Sequence, residues 1–203
     1  MTPRRYVSSV RAAAAEKKRA EVVQAARDLL GAGGGAGAFS LEAAARQAGV
    51  TRLTVYNQFG SRRGLLEAVF DDCARRAGLE RIREAMATAD ALAGLDRLVE
   101  IFCDFWSDAA VIALQDAALL DAELNQALEA RGERRRRAVA TLADRIAPGA
   151  GAEARRDAVD LVFGLTGAGM FRTLRQGRSP QATAEILKSA CRRAMVGLIP
   201  AGG

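Results

Sequence analysis

Ser40-Leu-Glu-Ala-Ala-Ala-Arg-Gln-Ala-Gly-Val-Thr-Arg-Leu-Thr-Val-Tyr-Asn-Gln-Phe59 is the stretch on which the reading of this chain turns. Ser40 can cap a helix by accepting a backbone N–H bond. Leu41, Ala44 and Ala45 then give that helix a small apolar inward face, and Ala45 lets a second helix approach closely. Gly49 follows four residues later, where a tight turn wants a positive φ without a Cβ penalty. Val50 anchors the turn, Thr51 can cap the next helix, Val55 returns to the core and Phe59 closes the unit. Two short helices with a small residue, a turn glycine and a later aliphatic at this spacing describe a helix-turn-helix.

The second helix has an outer face of Thr51, Arg52, Leu53, Thr54, Tyr56, Asn57 and Gln58, mostly polar and without an acid. Hydroxyls and the amides of a helix start can donate to phosphates. Arg and Asn carry the bidentate groups that read base edges in a major groove. A small amphipathic helix pair with a solvated polar face is the alternative for this segment taken alone.

Charge supports the first reading. The 203-residue chain carries a net +6, yet residues 71–203 hold 19 basic and 19 acidic residues, against 11 and 5 in residues 1–70. The whole excess sits in and before the quoted stretch, which suggests an anionic partner there. Arg4, Arg5, Arg11, Lys17 and Lys18 belong either to that partner's surface or to a solvated, flexible arm over residues 1–18. A helix is expected from near Ala14 to Leu30, with Val22, Val23, Ala26, Leu29 and Leu30 on one face. The run Gly31 to Gly37 breaks it. Gly31-x-Gly33-x-x-Ala36 loosely fits a dinucleotide fingerprint, but that motif follows a strand, and here a helix precedes it. The run reads as a loop.

Downstream, amphipathic segments fall near 61–87, 91–108, 110–119, 121–146, 153–176 and 180–197, for about nine helices in all. Ala, Leu, Arg and Glu favour helix, and no strand-like alternation stands out, so the fold class is all-α. Cys73, Cys103 and Cys191 are odd in number and widely spaced, which fits reduced, buried thiols and neither a disulfide framework nor a metal pair. There is no histidine, so the common metal ligand and the usual general base are missing. No metal site, cofactor or enzymatic activity is expected. No stretch approaches the ~18 apolar residues of a spanning helix. Nor does the N-terminus read as a signal peptide. A soluble, cytoplasmic protein with no membrane partner is expected.

Residues 19–70 closely resemble the N-terminal domain of TetR-family repressors. The resemblance rests on Arg19 opening an apolar helix, Phe39-Ser40-Leu41, Ala45-x-x-Ala48-Gly49-Val50-Thr51, Val55-Tyr56-x-x-Phe59, and Ser61-Arg62-x-x-Leu65-Leu66-x-Ala68-Val69. It implies a DNA-binding domain over 19–63 and a ligand-binding and dimerisation domain over 64–203. It also implies a homodimer on a pseudo-palindromic double-stranded DNA operator, most simply a repressor released by a small-molecule effector. By the same resemblance Thr51, Thr54, Tyr56 and Arg62 are phosphate-side residues, and Arg52, Leu53 and Asn57 the candidate base readers; Ser40 is counted with them among the DNA-binding residues. Arg62 stands where the family usually has a lysine. Leu53 stands where it usually has a small residue, and can touch a thymine methyl. The Gly-rich loop before Ser40 is longer than usual.

The remaining two-thirds speaks more softly. Met86, Leu95, Phe102, Phe105, Trp106, Val111 and Leu114 concentrate large apolar side chains. Met86, Phe102, Phe105, Trp106 and Leu114 are the candidates for lining a largely apolar effector cavity between helices. Asp104, Asp108, Gln115 and Asp116 are the nearest polar groups. Gly164, Gly167 and Phe171, with Leu187, Ala190 and Ala194, are candidates for a dimer interface, the glycines permitting either close helix approach or internal packing. The run Arg134 to Arg137 reads as a solvated helix face. Two rival functions stand beside the regulator: an all-helical small-molecule-binding or catalytic protein, and a basic protein without sequence preference. The first lacks paired carboxylates or an activated nucleophile, and the second would be basic throughout.

Overall fold

The computed structural model describes residues 4–32 and 39–198, with side chains from Ala12 onward. Of the expected loop over Gly31 to Gly37, Gly31 closes the first helix and residues 33–37 lie outside the described residues, as do the side chains of Arg4, Arg5 and Arg11. Among the described residues there are eleven α-helices and no strands. They are α1 (Arg4–Gly31), α2 (Leu41–Gln47), α3 (Arg52–Phe59), α4 (Arg62–Arg76), α5 (Ile82–Ala87), α6 (Ala91–Trp106), α7 (Ala109–Ala118), α8 (Ala122–Ile146), α9 (Ala152–Leu165), α10 (Ala168–Arg175) and α11 (Pro180–Val196). None is long and apolar enough to cross a membrane.

The all-helical expectation holds, but the count differs from nine, and the two extra helices have separate causes. The expected helix over 61–87 is cut after Arg76. Gly78 takes a left-handed φ of 70°, its N–H bonds the Arg75 carbonyl at 3.1 Å, and a 3-10 turn over Leu79–Arg81 leads into α5. The expected helix over 153–176 is cut at Thr166. Its carbonyl accepts from Trp106 Nε1 at 2.9 Å and from Arg135 Nη1, and Gly167 is extended, with ψ 160°. At the other end, α1 begins at Arg4, ten residues before Ala14.

α1, α2 and α3 form a small head, and α5 to α11 a larger helical body. α6 lies at the centre of the body, packed by α5, α7, α8, α10 and α11. It buries residues on almost every side, among them Leu95, Leu98, Val99, Phe102, Phe105 and Trp106. Each such side chain contributes roughly 1.5–3 kcal/mol through apolar burial. α4 joins head to body, with Leu65, Leu66 and Val69 fully enclosed and Phe70 and Cys73 buried beside them. One contiguous apolar cluster runs from Val22 on α1 to Leu198 after α11. The three cysteines are free and buried, and burial pushes each thiol up to about 12.

The cut at Gly78 is a stability determinant. A Cβ there would sit 2.7 Å from Arg81 Nε as well as forcing a side chain into the left-handed region. Gly78→Ala should therefore cost about 1–2 kcal/mol. In a chain of this size that lowers the thermal midpoint by about 2–4 °C per kcal/mol, measurable by circular dichroism.

Candidate nucleic-acid interface and body cavity

Three side-chain caps shape the head. Ser40 Oγ accepts from the Ala43 N–H at 3.0 Å, Thr51 Oγ1 from the Thr54 N–H at 3.1 Å, and Ser61 Oγ from the Gly64 N–H at 3.0 Å. Between α2 and α3 the chain turns through Gly49, φ 64°. The Val50 N–H reaches the Ala45 carbonyl at 3.0 Å and the Gly49 N–H the Arg46 carbonyl at 3.3 Å. This is a Schellman closure, in which the left-handed residue lets two amides satisfy carbonyls of the last turn. Ala44, Ala45 and Val55 are buried where α1, α2 and α3 meet. The Arg19 guanidinium lies 4.4 Å from the centroid of Phe59, tying α1 to the end of α3.

The outer face of α3 is open. Thr51, Arg52, Leu53, Tyr56 and Asn57 are exposed, Leu53 to 66% and Tyr56 to 57%. Thr54 is half-buried, with its hydroxyl 2.9 Å from that of Thr51. There is no acidic side chain on α3. Ser40 is exposed at the start of α2. Arg62, at the start of α4, lies 3.7 Å from Asp121 and 5.4 Å from the centroid of Phe39. The neighbouring Arg63 bonds Glu67 of α4 at 2.7 Å and Glu123 of α8 at 3.1 Å. The eight residues singled out for DNA contact thus fall on α3 and on the first residues or caps of the two flanking helices.

The body contains an aromatic cavity of about 690 Å³ between α4, α5, α6 and α8. Phe102, Phe105 and Trp106 line it, as do Phe70, Phe163 and Gln115. Two expected lining residues do not: Leu114 is fully enclosed in the core, and Met86 packs against the core away from the cavity. Asp104, Asp108 and Asp116 are engaged elsewhere, pairing with Arg81 at 3.0 Å, Arg27 at 2.8 Å and Arg172 at 2.8 Å. A second, more open cleft of about 800 Å³ runs past Arg27, Arg76 and Arg81, but its polar walls are already bonded to one another or to neighbours.

Sequence reasoning missed Arg135. Within a run that reads as a solvated face, this side chain turns inward to the Thr166 carbonyl, with its guanidinium carbon 5.3 Å from Phe102, 5.8 Å from Trp106 and 4.2 Å from Phe163 ring centroids. Burial pushes the Arg135 guanidinium down to about 10, and neighbouring Arg136 adds to the shift. The only hint in sequence is that Arg131 and Arg135 stand four apart on one face of α8.

Among the residues marked for a dimer interface, Phe171 and Leu187 are buried within this chain, 3% and 2% exposed. Their apolar stripes face the body's own core. Gly164 is exposed, and Gly167, Ala190 and Ala194 are half-exposed. The large apolar groups left open on α9 and α11 are Leu161, Ile186 and Val196.

An acid-free, capped second helix of a helix-turn-helix is thus carried on an all-helical body. Residues 22–69 match the sequence model described as bacterial regulatory proteins, tetR family. The match covers about a quarter of the chain, and the solved structures that the whole chain resembles agree with it in fold. A transcriptional regulator from Rhodococcus sp. Rha1 superposes with a TM-score of 0.67 at 15% identity, over 89% of this chain and 95% of that one. NalD of Pseudomonas aeruginosa, described as the secondary repressor of the MexAB-OprM multidrug efflux pump, gives 0.64 at 21% identity, over 93% and 99%. A TetR transcriptional regulator from Agrobacterium tumefaciens gives 0.60 at 22%, over 90% and 92%. No curated protein matches the chain.

The Thr51 cap sets how α3 is presented. Thr51→Ala removes the acceptor for the Thr54 N–H and should cost about 1 kcal/mol, read as a lower midpoint in urea with an unchanged slope.

Proposed function

We propose that the chain is a homodimeric repressor that binds a pseudo-palindromic operator and is released by a small molecule entering the aromatic cavity. The observation that carries this is the exposed, acid-free face of α3, held between three capped helix starts. Two such helices, one from each protomer, would enter major grooves about one helical turn apart. Thr51, Thr54, Tyr56, Ser40 and Arg62 serve the phosphates, and Arg52, Leu53 and Asn57 the base edges. In this reading residues 1–18 are an arm, 19–63 the reading head and 64–203 the effector and dimer domain.

Leu161 on α9 and Ile186 and Val196 on α11 support the dimer, because the two helices pack side by side and leave these side chains uncovered. Pairing with their two-fold mates would bury them in a four-helix interface. The cavity supports the effector. Its volume lies within the 300–1,000 Å³ typical of small-molecule sites, and its walls include Phe70 of α4, the helix that continues into the head. A ligand that fits one setting of α4 better than another shifts the population of heads set for DNA.

Purified protein should retard its own upstream DNA or a neighbouring intergenic region in a gel shift, with affinity falling steeply as salt rises and with random competitor displaced by operator. Loss of discrimination between operator and random DNA would leave only the basic-protein reading. Within a specific complex, Thr54→Ala and Tyr56→Ala should weaken binding to all sequences alike, whereas Asn57→Ala should relax base preference at one position by about 1–3 kcal/mol.

A further inference from the structure

The cavity in the body holds a cation without a counter-ion. Among the described residues no carboxylate lies within 4 Å of the Arg135 guanidinium. Its hydrogen bonds go from Nη1 to the carbonyl and hydroxyl of Thr166, and the rings of Phe102, Trp106 and Phe163 surround it. The acids on the cavity wall are largely committed elsewhere. Asp71 pairs with Arg131 at 3.0 Å, Glu133 with Arg136 at 3.3 Å, and Glu129 accepts from Asn125 at 2.8 Å, while Glu80 is exposed on the α4–α5 connection. A guanidinium partly withdrawn from water with no anion beside it is costly, and a planar fork of donors matches a carboxylate bidentately.

We propose that the effector is an amphipathic organic carboxylate, its anion paired with Arg135 and its apolar body lying against Phe70, Phe102, Phe105 and Trp106. This rests on the reading of the cavity as the effector site and adds the ligand's charge. The pairing also supplies a route outward. Arg135 holds the Thr166 carbonyl that separates α9 from α10. One turn earlier, Arg131 bonds Asp71 of α4 and lies 4.9 Å from the Phe70 centroid. An anion that draws Arg135 away from Thr166 acts on the end of α9, which carries the uncovered Leu161. Its body presses on the helix that leads to the head.

Trp106 is the only tryptophan in the chain and lines the cavity, so its fluorescence reports occupancy directly. The test titrates the full-length protein at neutral pH with three non-absorbing ligands of one shape: 4-cyclohexylbutanoate, its primary amide, and 4-cyclohexylbutylamine. The expected result is saturable change in Trp106 emission with the carboxylate at least about tenfold tighter than the amide, and the amine weakest. Arg135→Gln should bring the carboxylate down to the amide's affinity, and Arg135→Lys should keep part of the preference. Equal or tighter binding of the amide or amine to the wild-type protein overturns the assignment of charge while leaving the cavity as a ligand site. So does a preference that survives in Arg135→Gln. If none of the three alters Trp106 emission, the reading of the cavity falls with it. The comparison of ligands on the wild-type chain stands whether or not the variants fold.

Discussion

The structure depends on α4 being buried at both ends. Its first two turns place Leu65, Leu66 and Val69 in the same apolar cluster as Val22, Ala26, Phe39 and Val55 of the head. Its last two place Phe70 and Cys73 against Phe105 and Trp106 of the body, with the Phe70 and Phe105 rings edge to face at 5.3 Å. A 15-residue helix shared by two cores leaves little room for the head to swing as an independent bead. Any change of packing along α4 is felt as a change in the direction in which α3 is aimed, because close-packed interiors transmit strain rather than absorb it.

Around that helix the ionic contacts orient more than they stabilise. Arg27 reaches Asp108, Arg62 and Arg63 reach Asp121 and Glu123, and Arg131 reaches Asp71. Each is at least partly exposed, and pairs of that kind contribute about 0–1 kcal/mol. All four use arginine, whose planar fork fixes an angle as well as a distance. Apolar burial holds the head to the body, and the arginines set the angle at which it is held. Asp108 adds to this by holding the Arg27 guanidinium above its usual range through a side-chain hydrogen bond.

Legibility in sequence followed the range of the interaction responsible. The helix-turn-helix could be read because most of its determinants are local: Ser40, Gly49 and Thr51 each act within five residues of themselves, and Val55 is buried as its place on a short helix suggests. The open face of α3 could be read for the same reason. The break at Thr166 could not, since its partners are Trp106 and Arg135, sixty and thirty-one residues away. Phe171 and Leu187 were legible as apolar but not as facing inward, because a stripe looks the same whether its own chain or a second copy covers it. In the cavity, aromatic residues of α6 were foreseeable from their density. Leu114 and Met86 were not separable from them, because only the crossing of helices decides which large side chain meets space and which meets another side chain.

One consequence follows from what the chain's titrating groups leave out. Histidine is the side chain whose ordinary pKa falls between pH 5 and 8, and the chain has none. The thiols, which perturbed environments can bring into that window, are instead driven to about 12 by burial. Neither the imidazole nor the thiol, the two side chains best suited to sense protons in that range, is available to do so in this chain.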